Sequence, residues 1–202
     1  VPGSLLFLGL LLGLKHALEA DHLSAIATLS ARAGSAGDTL RVALAWGLGH
    51  AAALASGGTA LVLLGVALPP RVEHLLDFAI GATLVALGLS VLFRSRRPRS
   101  HEQLERSMLR RSVLVGAVHG LGGSAAVMLV WLPLTHSGGR ALGYLMIFGA
   151  GTIAGMALLS LIVCLPFKLS ARAGRAAGLL RGALGLADVG LGCWIALGSG
   201  AV

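Results

Sequence analysis

The chain has 202 residues, 56% of them hydrophobic and 12% charged, with mean hydropathy +0.87, whereas a soluble domain carries about 25% charged residues. A net charge of +8 invites comparison with nucleic-acid binders, but the basic residues sit between apolar blocks and aromatics make up only 4%, too few for base-stacking platforms. The blocks run to about 20 residues, the length that crosses a hydrocarbon core, and the ten-residue alternation of a transmembrane barrel is absent from the sequence, so the class is all-α integral membrane.

Six transmembrane helices are predicted. The first, 4–29, carries Lys15, His16, Glu19, Asp21 and His22 inside an apolar block, which does not suit the plain core of a signal peptide. The second, 40–67, carries His50 beside Gly47 and Gly49, and the third covers 73–94 after Pro69–Pro70. A polar stretch, Arg94 to Arg111, precedes the fourth span, 112–133, which holds His119 followed by Gly120, Gly122, Gly123 and Ser124. Pro133 and 137–139 turn the chain into the fifth span, 139–166, and Pro166 to Arg175 turns it into the sixth, 176–199, with Asp188. Cys164 and Cys193 form no CxxC and read as buried structural thiols.

Lys and Arg set the orientation. Thirteen flank the first, third and fifth connections and two, Arg71 and Arg140, flank the others. The basic side is therefore expected in the cytoplasm and both termini outside, in a bacterial inner membrane. Seven arginines between 94 and 111 would sit against anionic lipid headgroups. Residues 1–202 form one transmembrane domain, divided into a first repeat (1–94), a basic cytoplasmic loop (95–111) and a second repeat (112–202).

The repeat rests on three matches at an offset of about 103 residues. Lys15-His16-Ala17-Leu18 matches Val118-His119-Gly120-Leu121, which puts Asp21 on Ser124. Trp46 to His50 matches Phe148 to Thr152, and Gly81 and Gly88 match Gly185 and Gly192. Three-span repeats insert in opposite senses, so the expectation is two inverted three-helix repeats with a site near the midplane where they meet. His16 and His119 would then approach from opposite directions.

Ionisable residues inside spans are costly and are functional by default. Neutral imidazoles with a carboxylate suit divalent nickel, cobalt or zinc, whereas magnesium and calcium sites use oxygen donors alone. The metal candidates are His16, Asp21, His22, His50 and His119, with Glu19, Ser124, Asp188 and Lys15 secondary; Asp188 is read either as a lesser candidate or as the neutraliser of Lys15. His74, His101 and His136 are bystanders. At about 100° per residue, Asp21 and His22 point about 140° and 240° around a helix from His16. Either the span is broken at the motif, or the residues divide between ligands and supporting roles.

His16-Ala17-Leu18-Glu19-Ala20-Asp21-His22, Leu48-Gly49-His50 and His119 to Ala126 resemble the motifs of the nickel/cobalt transporter family. That broad group includes short urease-accessory-type nickel permeases and nickel/cobalt efflux proteins. The resemblance implies movement of Ni²⁺ or Co²⁺ across a membrane, with His16, Asp21, His22 and His50 important for it. Classical uptake members have about eight spans against six here, and the middle loop lacks the histidine-rich run of many efflux members, which leaves direction and metal open. The expected activity is secondary transport without a prosthetic group, and a homo-oligomer stays open. An intramembrane metalloenzyme is the rival class, but the chain has no HExxH and too few histidines for a di-iron box; a non-transporting metal-delivery accessory is the other.

Overall fold

The structure is a computed structural model describing residues 3–31, 35–64, 66, 68–93, 101–122, 138–170 and 174–198. Among them the chain is helical and forms no strand. The helices are α1 (Gly3–His16), α2 (Ala20–Ser30), α3 (Ala36–Leu64), α4 (Pro70–Leu92), α5 (His101–Gly122), α6 (Gly138–Ser170) and α7 (Gly174–Gly198).

Three expected boundaries are corrected. The first span is two helices: the Leu18 and Glu19 amides bond the carbonyls of Lys15 and His16, three residues back, and close a tight last turn. Glu19 is then extended at φ −61°, ψ 148°, and α2 restarts where the Leu23 amide bonds the Glu19 carbonyl. The polar stretch before the fourth span is helical from His101, as its Glu, Gln, Leu, Met and Arg content favours. Helix α6 passes through Pro166, expected as a break, and ends at Ser170; the proline removes one amide bond close to the end of a 33-residue helix, where few bonds remain to be lost. The end of the fourth span and the turn through Pro133 and His136 lie outside the described residues.

Other ends follow local chemistry. The Ser35 hydroxyl accepts the Asp38 amide at 3.1 Å and donates to the Asp38 carboxylate at 2.8 Å, a cap that starts α3. Pro70 opens α4, where its missing N–H would have no helical partner anyway.

The distribution of side chains is inside-out. Buried positions include His16, His22, Thr28, Ser30, Thr39, His50, Ser112, His119, Thr152, Ser160 and Asp188, while Phe7, Leu63, Leu75, Phe78, Leu158, Ile162, Leu186 and Trp194 face outward. Cys164 is buried as expected; Cys193 is exposed. Segments Pro70–Leu92, Leu142–Leu165 and Gly178–Gly198 are long and apolar enough to cross a membrane. Apolar surroundings and a polar interior are what a bilayer solvent selects, so this is an integral membrane protein.

Helices α1 and α6 pack together, as do α3 and α5, and α4 and α7. All three contacts bring backbones together, α4 and α7 included, where Gly81 and Gly88 face the carbonyls of Gly192 and Gly185. A methyl on Gly13 would strike the Phe148 carbonyl, and one on Gly116 would strike the Trp46 carbonyl. Gly151 abuts Leu10 and Gly49 abuts Val113 in the same way. Helix α3 also packs on α6, and α2 sits among α3, α4, α5, α6 and α7.

Candidate metal site

Four helices bring histidines to one buried point. The tight end of α1 presents His16, the restart of α2 presents Asp21 and His22 in its first turn, α3 carries His50, and α5 carries His119 three residues before its end. The break after His16 removes the angular conflict of a straight helix. Gly120 lies so close to the His50 carbonyl that a Cβ there would collide with it, and this absence of a side chain lets α5 approach α3 at His50.

The His16 and His22 ring centres are 4.5 Å apart, His16 and His50 5.2 Å, and His22 and His50 5.0 Å. One nitrogen from each of these three can be chosen so that all lie within 4.8 Å of one another, close enough to share an ion. The His119 ring centre is 5.7 Å from that of His22, at the edge of the cluster. All four rings are buried.

The nitrogens divide by role. His22 Nδ1 donates to Asp21 Oδ1 at 3.0 Å and His119 Nδ1 to the Val115 carbonyl at 2.9 Å; Glu19 Oε1 lies 2.9 Å from His16 Nδ1. Carboxylate and carbonyl oxygens only accept, so the proton of each neutral ring stays on Nδ1 and the Nε2 lone pair is left available. Nε2 of His16, His22 and His119, and both nitrogens of His50, are buried and make no hydrogen bond among the described residues. A folded chain rarely strands so many buried polar atoms together. A soft or borderline cation would satisfy them at once.

Glu19 and Asp21 add two negative charges beside three neutral rings, which balances a dication. Glu19 is half exposed and Asp21 mostly buried. Asp21 contacts His22 through its ring nitrogen, whereas Lys15 is exposed and makes no ion pair among the described residues. Asp188 is buried on α7 and accepts the Ser24 hydroxyl, so its expected role as neutraliser of Lys15 is replaced. Ser124 and His136 lie outside the described residues. His74 is in the first turns of α4, and His101 is the first residue of α5.

Two aromatic walls were not singled out as functional from the sequence. Trp46 is fully buried, with its ring centre 5.4 Å from His22, 5.7 Å from His119 and 6.5 Å from His50. Phe148, its counterpart in the repeat match, lies 5.4 Å from His16. The available signal was spacing: Trp46 is four residues before His50 and so shares its helix face. Such walls keep water from the imidazoles and strengthen their grip on a cation.

The chain is 30% identical over 182 residues to the urease accessory protein UreH of Bacillus sp. (strain TB-90), covering 84% of this chain and 80% of that relative. No family profile and no solved structure matches the chain.

Proposed function

The chain belongs to the family of the urease accessory protein UreH, and on that footing we propose that it is a secondary transporter of divalent transition metal ions, Ni²⁺ or Co²⁺, across the bacterial inner membrane. The observation that carries this reading is the convergence of the buried His16, His22 and His50 rings, one nitrogen from each within 4.8 Å of the others, with the Nε2 atoms making no hydrogen bond among the described residues. His119 is the fourth donor, reached by a small movement of its ring. Asp21 and Glu19 act behind the imidazoles: they fix the tautomer, raise ring basicity and neutralise the cargo's charge. Zn²⁺ shares the donor preference, so selectivity among the three has to come from the geometry of the loaded site.

Six spans in two inverted repeats fit this reading. The pairing of Gly13 with Phe148 and of Gly116 with Trp46 relates the halves by the same offset of about 103 residues, with the partners exchanged. That exchange supports a pseudo-twofold axis in the membrane plane passing near the histidines. The Lys and Arg distribution supports placing both termini outside.

Uptake of Co²⁺ or Ni²⁺ into proteoliposomes holding the purified chain tests the proposal, with His22→Ala as control. Wild-type flux lost in the variant is the expected result; no flux of either ion under a metal gradient would sink it. The relative's designation as an accessory protein favours a second reading, metal delivery without transport. Tight binding in detergent without flux would select that one.

A further inference from the structure

The carboxylates beside the imidazole cluster belong to a second donor group. One oxygen each from Glu19 and Asp21 and one ring nitrogen of His22 lie within 4.8 Å of one another, the same spread as the nitrogens of His16, His22 and His50. His22 is the member common to both groups. Its Nδ1 meets Asp21 Oδ1 at 3.0 Å, while its Nε2 makes no hydrogen bond among the described residues. Oxygen therefore occupies one nitrogen of the ring, and the other is unbonded with the rings of His16, His50 and His119 packed around it.

The second group reaches the surface and the first does not. Side-chain exposure falls from 54% at Glu19 through 17% at Asp21 to 2% at His22. Glu19 stands in the extended link between α1 and α2, and its side chain caps no amide of α2. An ionised carboxylate inside a span faces water or protein rather than lipid, so this is where a hydrated ion first meets the chain. The donor types follow the same order. Carboxylate oxygens suit an ion that still holds water, and imidazoles suit a stripped borderline cation.

We propose that Glu19, Asp21 and His22 Nδ1 form an outer station that takes the divalent ion first, and that His22 passes it to the imidazoles. This rests on the transporter reading and adds the order of its steps. A neutral imidazole has one N–H and one lone pair, so His22 serves one station at a time. With the ion outside, Nδ1 holds it and the ring proton is on Nε2. With the ion inside, Nε2 holds it and Nδ1–H donates to Asp21. One proton leaves Nε2 and one arrives at Nδ1 with no net change, and the water the ion sheds carries it. The two stations therefore fill in turn and never together.

Stopped-flow mixing of Co²⁺ with the purified chain in detergent, read by the visible absorption of the bound ion, tests this. Wild type should saturate at a single Co²⁺ per chain. Glu19→Gln should slow association by about tenfold, in dilute buffer and equally at about 1 M salt, where the screening length is about 3 Å. A residue that only holds His16 in place would alter dissociation and leave association alone. One that only attracts cations would slow association in dilute buffer but not in salt. Either result overturns the proposal, as does a second Co²⁺ that binds wild type and is lost in Glu19→Gln, because both stations would then fill at once. His50→Ala gives an independent measurement, since it removes an inner donor and keeps the outer three. Mn²⁺, which favours oxygen donors, should bind that variant by electron paramagnetic resonance and be lost when Glu19→Gln is added; Mn²⁺ binding indifferent to Glu19 would also overturn the outer station. If wild type binds no Co²⁺ at all, the imidazole cluster is no metal site and the transporter reading falls with this one. Co²⁺ flux that does not depend on Glu19 removes the outer station alone.

Discussion

Asp21→Asn separates a carboxylate that binds metal from one that supports a ligand. Asp21 Oδ1 is 3.0 Å from His22 Nδ1 in a mostly buried setting. Asparagine keeps the shape and can still accept that hydrogen bond, but the charge is gone. Bonds to charged groups contribute about 1.5–3 kcal/mol and neutral ones about 0.5–1.5, so the change should cost about 1–1.5 kcal/mol, or roughly tenfold in affinity. That sits at the lower end of the tenfold to hundredfold losses, about 1.4–2.7 kcal/mol, typical of residues behind a ligand. The assay is Co²⁺ titration in detergent followed by visible absorption, which reports the atoms bound directly to the ion. Weaker binding with an unaltered spectrum is expected. A loss beyond about a thousandfold with a changed spectrum would place Asp21 in direct contact with metal, since support alone reaches about a hundredfold. Unchanged affinity would remove Asp21 from the site.

Gly120→Ala puts a methyl against the His50 carbonyl and should lower stability by about 1–3 kcal/mol, read as a lower Tm in detergent with weaker Co²⁺ binding; Gly178→Ala, where nothing lies within 4 Å, should leave both unchanged. Protons compete with metal for the imidazole lone pairs. Affinity should therefore fall as the pH is lowered, and isothermal titration between about pH 5.5 and 7.5 measures this. With Trp131 and Trp194 replaced by Phe, the emission of Trp46, 5.4–6.5 Å from three of the rings, should be quenched at one equivalent of Ni²⁺; quenching that does not saturate would mean metal binds elsewhere.

Much of the site was legible because charged residues in apolar blocks stand out whatever the fold. His16, His22, His50 and His119 were named from that contrast, and the angle between His16 and Asp21 on an ideal helix already called for either a break in the span or a division between ligands and supporting residues. The direction in which Asp21 points was not legible, since it depends on a rotamer and on the extended backbone of Glu19. Trp46 and Phe148 were hidden by their chemistry, because an aromatic in a membrane span reads as packing until its neighbours are known. The partner of Asp188 was misread for a similar reason: Lys15 and Asp188 are the complementary charges, but Lys15 faces outward and a serine takes the carboxylate. Helix ends were least legible where polar sequence is itself helix-forming, as from His101 to Arg111.

The bare-backbone crossings have a mechanical meaning. Helices α1 and α6 are locked carbonyl to glycine, and so are α3 and α5, whereas α3 meets α6 through side chains such as Ile153 against Gly47 and Leu145 against Gly58. Two of the stiff pairs therefore share one softer seam, while α4 and α7 form a third, closed through Gly81 on Gly192 and Gly88 on Gly185. His16 belongs to the first unit, His50 and His119 to the second, and His22 rides on the short helix between them. Any shear along that seam pulls the donors apart. Opening the protein and letting go of the ion would then be a single event, with no separate release step needed.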